Sequence, residues 1–77
     1  MGGASVEEMT KSLSYWIKER NTPQGHYYVA CGQLTRADAK KKEDTLYGSN
    51  VMHQFDSKLS YDARLAELRA RGERVQT

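Results

Sequence analysis

His26, Cys31 and His53 are the residues of this chain with soft or borderline ligand chemistry, and two of them lie in the stretch NTPQGHYYVACGQ, residues 21–33. A structural zinc site takes four ligands, usually in close pairs such as C-x2-C or H-x3-H, and no such pair occurs here. If residues 26–34 form a strand, the spacing places His26 and Cys31 on opposite faces. A nucleophile–base pair of Cys31 with His53 requires the strands carrying them to pair. It would also need an orienting group, oxyanion donors and a pocket.

General acid–base work by two carboxylates needs acids in differing environments near a cleft. Asp38 and Asp62 sit at expected helix starts, Glu43 and Asp44 in a charged run, and Asp56 before a helix. Capping and solubility account for all five. The phosphate-cradling, dinucleotide-binding and zinc-protease patterns GxxxxGK[ST], GxGxxG and HExxH do not occur. The expectation is therefore a non-enzyme with no catalytic residue, no metal and no cofactor.

The elements that position these residues come from turn signals and periodicity. Residues 5–20 (SVEEMTKSLSYWIKER) admit a helix, with Val6, Met9, Leu13, Trp16 and Ile17 on one stripe and Ser5 with Glu8 as a capping box. They also admit a strand, with Leu13, Tyr15 and Ile17 alternating with Ser14, Trp16 and Lys18. The strand is favoured for 12–19, because NTPQG reads as a hairpin loop into a second aromatic run. That run, 26–34, reads as a central strand. Tyr27, Val29 and Cys31 take one face; His26, Tyr28, Ala30 and Leu34 take the other.

Residues 35–47 (TRADAKKKEDTLY) read as a helix capped by Thr35 and stopped by Gly48, with Ala39, Leu46 and Tyr47 on its inner face. A third strand is expected over 50–55. A second helix runs from Ser57 or Ser60 to Arg71, with Tyr61, Leu65 and Leu68 inward and Gly72 as its stop. The tail ERVQT either frays or adds a short edge strand. The fold class predicted is α+β: a small two-layer domain of β-hairpin, helix, strand and helix, with a mainly antiparallel sheet and both helices on one face. Residues 1–10 read as a flexible N-terminal segment and 11–77 as the domain.

Composition bounds the rest. A chain of 77 residues buries only about 60–65% of the surface its unfolded form exposes. One Trp, one Phe and five Tyr supply large apolar area for that small core. A lone cysteine suits a reducing, cytoplasmic setting. No apolar run approaches a membrane span, and the N-terminus lacks a signal-peptide layout. Net charge is +2, from 12 basic and 10 acidic residues, so the balance alone does not name a partner.

Two functional readings follow. If both helices cover one sheet face, the other is left open, and its aromatics mark an interface for a protein partner or a second copy. Tyr15, Trp16, Tyr28 and Tyr47 are the candidate contacts. The layout suits a small regulatory or accessory protein of the kind that bacteria and phages encode. The alternative is nucleic-acid binding by the Lys40, Lys41 and Lys42 run together with Arg64, Arg69 and Arg71 of the last helix, with Arg74 beyond it. Interleaved acids weaken that field.

Overall fold

The computed structural model describes residues 12–43 and 46–77. The expected N-terminal segment, the helical reading of Val6 and Met9 and the capping box of Ser5 and Glu8 lie outside them.

A hairpin begins the fold. β1 (Leu13–Thr22) and β2 (Gly25–Thr35) pair antiparallel, with Thr22 opposite Gly25 and a two-residue turn at Pro23 and Gln24. Proline presets the turn's backbone angle, Gly25 supplies φ +138°, and the Thr22 hydroxyl donates to the Gly25 carbonyl at 2.9 Å. The strands thus run further into NTPQG than expected, leaving a tighter loop.

β1 also pairs antiparallel with β3 (Ser49–Phe55), and β2 pairs in parallel with the short β4 (Val75–Gln76), giving the order β3-β1-β2-β4. The register slips between Trp16 and Ile17: Trp16 faces Gly32, Ile17 faces Ala30, and Cys31 is the extra residue of a bulge. A bulge shifts every later side chain to the other face. Leu34 therefore pairs with Ser14 and shares the face of Trp16, not that of Ala30 as simple alternation predicts. The Gly32 N–H, turned away at the bulge, donates to the Tyr61 hydroxyl at 3.0 Å.

The α+β class and the mainly antiparallel sheet are as expected, but the helices divide between the faces. α2 (Lys58–Ala70) starts on Ser57, whose hydroxyl accepts from the Ser60 N–H, and buries Tyr61, Leu65 and Leu68. It ends at Gly72, φ +80°, with Gly72 N–H donating to Arg69 O and Glu73 N–H to Leu68 O, both at 3.0 Å. These α2 residues pack on Ile17 and Tyr28, flanked by Tyr15, Ala30, Phe55 and Val75. At about 1.5 Å per residue the helix is about 20 Å long, enough to cross the three inter-strand gaps between β3 and β4.

α1 (Arg36–Lys41) lies on the opposite face, where Ala39 meets Trp16 in a groove shared with Met52 and Gln54. Thr35 caps it as expected, its hydroxyl accepting from the Asp38 N–H at 3.1 Å. The helix then stops at Lys42 instead of continuing to Tyr47. Ala39 is its one buried residue, and the charged residues that follow have no apolar side to bury. The expected inner-face residues Leu46 and Tyr47 are exposed.

Three even-numbered residues of β1 hold this thinner layer. Trp16 Nε1 donates to Leu34 O at 3.0 Å, and Lys18 Nζ donates to Lys42 O, at the end of α1, at 3.3 Å. The buried Arg20 guanidinium donates to Leu46 O at 2.9 Å and Ser49 O at 3.3 Å, fastening the segment that enters β3. Gly48 lies in that segment against the backbone of Asn21 and Thr22. A Cβ there would overlap the Asn21 carbonyl oxygen. Gly48→Ala is expected to lower stability by about 1–3 kcal/mol, the usual range for forced overpacking. Urea unfolding measures this, and a midpoint equal to that of the parent would show that the contact is not tight.

Candidate functional site

The four aromatic residues expected to share an open face are not together. Trp16 and Tyr28 are buried, at 6% and 5% exposure, under α1 and α2 respectively. Tyr15 is half-buried beside Tyr61, ring centroids 5.2 Å apart, within the α2 layer. Tyr47 alone is open, at 81%, in the turn before β3 with a left-handed φ of +63°. Because each face of the sheet carries a helix, no aromatic platform made of these residues faces solvent.

Register also separates Cys31 from His53. β3 pairs with β1 and not with β2, so His53 stands opposite Ile17 while Cys31 sits half-buried in the bulge. Its thiol approaches the Val29 carbonyl at 3.6 Å. Both histidines instead meet Glu19, a residue that sequence reading did not single out. His26 Nε2 lies 2.7 Å from Glu19 Oε2, and His53 Nε2 lies 2.7 Å from Oε1. Glu19 on β1 is thereby tied to β2 and β3 at once. His26 Nδ1 is also 3.6 Å from Glu73 Oε1.

This cluster works as a polar clamp. His26 pairs with Asn21 and His53 with Ile17, on diagonally opposite sides of Glu19, so the imidazoles reach the carboxylate from opposite ends. Each occupies a different oxygen. Among the described residues no group of three or more His, Cys, Asp or Glu is placed to hold a metal ion. Hydrogen bonds from His53 and then His26 hold the Glu19 carboxyl below its ordinary value of 4.5, against a smaller opposing effect of burial. Burial, reinforced by the nearby Glu19 and Glu73 charges, pushes the Tyr28 hydroxyl up.

Charge divides between the faces. On the α2 side Lys58 pairs with Asp62 at 2.6 Å, Arg64 with Glu67, and Arg71 with both Glu67 and Glu73, at 3.6 and 3.3 Å. Two of the three arginines proposed from sequence, Arg64 and Arg71, therefore have their charge locally balanced. Arg69 stands exposed in the last turn of the helix.

The α1 side differs. Lys18, Arg20, Arg36, Lys40, Lys41 and Lys42 lie there, joined by Arg74, whose guanidinium is 5.7 Å from the ring centroid of Tyr27. Among the described residues, Asp38 and Glu43 are the carboxylates of α1 and the residues at its end. Between α1 and β3 runs an open groove of about 410 Å³, floored by Trp16, Met52 and Gln54 and edged by Arg36, Lys40 and Glu43. A second hollow of about 310 Å³ lies by Leu34, Asp38, Lys41 and Lys42.

Comparison with protein-family models, with curated proteins and with solved structures finds no match. Among the described residues no helix is long and apolar enough to cross a membrane.

The clamp sets a pH dependence. A carboxyl whose folded value lies below its unfolded one adds stability above the unfolded value, and loses it as pH falls through the folded value. The stability advantage of the parent over Glu19→Gln is thus expected to hold above about pH 5 and to shrink as pH falls below 4.5. Urea unfolding of both proteins between pH 7 and pH 3 measures the gap, and a gap independent of pH would show that the carboxylate is not held by the histidines.

Proposed function

We propose that this protein is a non-catalytic module that binds nucleic acid across the α1 face of its sheet. The observation that carries the reading is the excess of cations on that face. Among the described residues, seven basic residues stand there against Asp38 and Glu43, while the α2 side has Lys58, Arg64, Arg69 and Arg71 against Glu19, Asp62, Glu67 and Glu73. Arg20 is enclosed by backbone carbonyls and contributes field only. Of the other cations, Arg36 and Lys40 edge the groove, and Lys41 and Lys42 line the neighbouring hollow.

Lys and Arg side chains in this setting neutralise phosphates and release condensed counterions, which supplies sequence-independent affinity. Tyr27, stacked with Arg74, and the exposed Tyr47 are the aromatics available to bases. The alternative of a protein partner on an aromatic sheet face lost its main support when Trp16 and Tyr28 proved to be core residues. The cytoplasmic setting fits a lone thiol half-buried in a bulge.

Fluorescence anisotropy with a labelled oligonucleotide, at salt concentrations from 50 to 300 mM, tests the reading. Engagement of about four phosphates predicts a slope of log affinity on log salt near −3 to −4, with dissociation constants of roughly 1–100 μM at physiological salt. Reversing Lys40 and Lys41 to Glu together is expected to weaken binding at least ~10-fold, since each lost phosphate contact removes a counterion-release contribution. Reversing Arg64, already paired with Glu67, is expected to change it little. Absence of binding at 50 mM salt overturns the proposal.

A further inference from the structure

The α1 face offers two kinds of contact, and phosphate uses only one of them. Arg36 and Lys40 at the rim of the groove supply charge, but its floor is the apolar Trp16 and Met52 with the amide of Gln54. An apolar floor with a few polar groups is the make-up of a small-molecule site, and about 410 Å³ lies within the usual range of about 300–1,000 Å³. Gln54 Nε2 donates to Ser14 Oγ at 2.9 Å, which orients the amide and turns its oxygen into the acceptor of the pair.

The second contact is Arg74 over Tyr27. Tyr28 N–H donates to Arg74 O at 2.8 Å, which fixes the backbone of Arg74 beside β2. Its guanidinium then lies 5.7 Å from the Tyr27 ring centroid, while the residue itself is exposed. A guanidinium backed by a ring on one side is a plane on which a nucleobase stacks, as it does on an aromatic side chain. We infer that the ligand of this face is single-stranded nucleic acid, with one unpaired base in the groove and another stacked on Arg74. The inference rests on the nucleic-acid reading above and names its substrate class. In a duplex the base faces are already stacked on one another, so a duplex reaches this face through its phosphates alone.

Register sets the path between the two contacts. On this face Trp16 and Gln54 share one row, Met52, Lys18 and Val29 the next, and Arg20 and Tyr27 the third. Rows two residues apart are separated by about 6.6 Å, so the groove and the Tyr27–Arg74 pair lie about 13 Å apart along the strands. Lys18 stands in the middle row. Its ammonium spends one donor on Lys42 O and keeps its charge for a phosphate between the two bases.

The test compares, at low salt, a labelled mixed-sequence DNA strand of about 16 nucleotides with the duplex it forms with its complement. The full chain is expected to bind the single strand at least about 5-fold more tightly, the smaller effect of one stacked base, although the duplex carries about twice the charge. Arg74→Lys keeps the charge and loses the plane, and is expected to weaken single-strand binding at least about 5-fold more than duplex binding. Trp16 is the one tryptophan of the chain, so its emission reports on the groove and is expected to change with the single strand and not with the duplex. Equal or tighter binding of the duplex overturns the inference and leaves the nucleic-acid reading of the face standing. So does an Arg74→Lys variant that binds the single strand as the parent does, or that loses both forms equally. Binding of neither form overturns both. If Arg74→Lys fails to fold, the affinity ratio and the Trp16 emission decide.

Discussion

The whole arrangement depends on two neighbouring residues of the central strand, Trp16 and Ile17, being buried on opposite faces of one sheet. Adjacent side chains in a strand point to opposite sides, so burying both requires a cover on each side. Fully burying a large apolar side chain is worth about 1.5–3 kcal/mol, so neither can be left to water cheaply in a domain this small. The α2 helix supplies one cover, with Ile17 and Leu68 as its most enclosed side chains. The chain has little left for the other. A six-residue helix and a loop complete it, and polar β1 side chains hold them: Lys18 on the end of α1, Arg20 on the segment before β3. Their aliphatic stems lie along the sheet while their charged ends reach backbone carbonyls.

This economy gives the faces different electrostatic characters. On the α2 side the acids are arranged to meet cations, and Glu19 accepts from two imidazoles. On the α1 side cations are used to secure carbonyls, which carry no net charge to balance them. A net charge of +2 therefore conceals a polarised molecule. Layers of a sheet domain lie about 10 Å apart, close to the Debye length at physiological salt, so each face presents its own field to a partner.

Much of the fold was legible in the residues themselves. Proline and glycine marked the hairpin, Thr35 and Ser57 the helix starts, Gly72 the end of α2, and the spacing of Tyr61, Leu65 and Leu68 its buried side. What escaped sequence reading was set by long-range pairing. No local signal says that β3 joins β1 instead of β2, and that choice brings His53 to Glu19 and keeps it from Cys31. The bulge at Cys31 is marked only by the glycine after it, yet it moves Leu34 to the other face. The end of α1 at Lys42 was hidden because helix propensity continues through the lysines while burial does not. Of the candidate site, the lysine run was visible in the chain. Lys18 and Tyr27 were not, and Arg74 read as a partner of the last helix's arginines, because all three join the site only through strand register.

The division of roles between the faces is tested most directly by amide chemical-shift mapping of the full chain during titration with a short oligonucleotide at low salt. The perturbed amides are predicted to cluster on Lys18, Tyr27, Arg36, Lys41, Met52 and Gln54, with Arg64, Arg69 and Arg71 unmoved. Perturbations centred on the α2 arginines, or spread evenly over both faces, would contradict it.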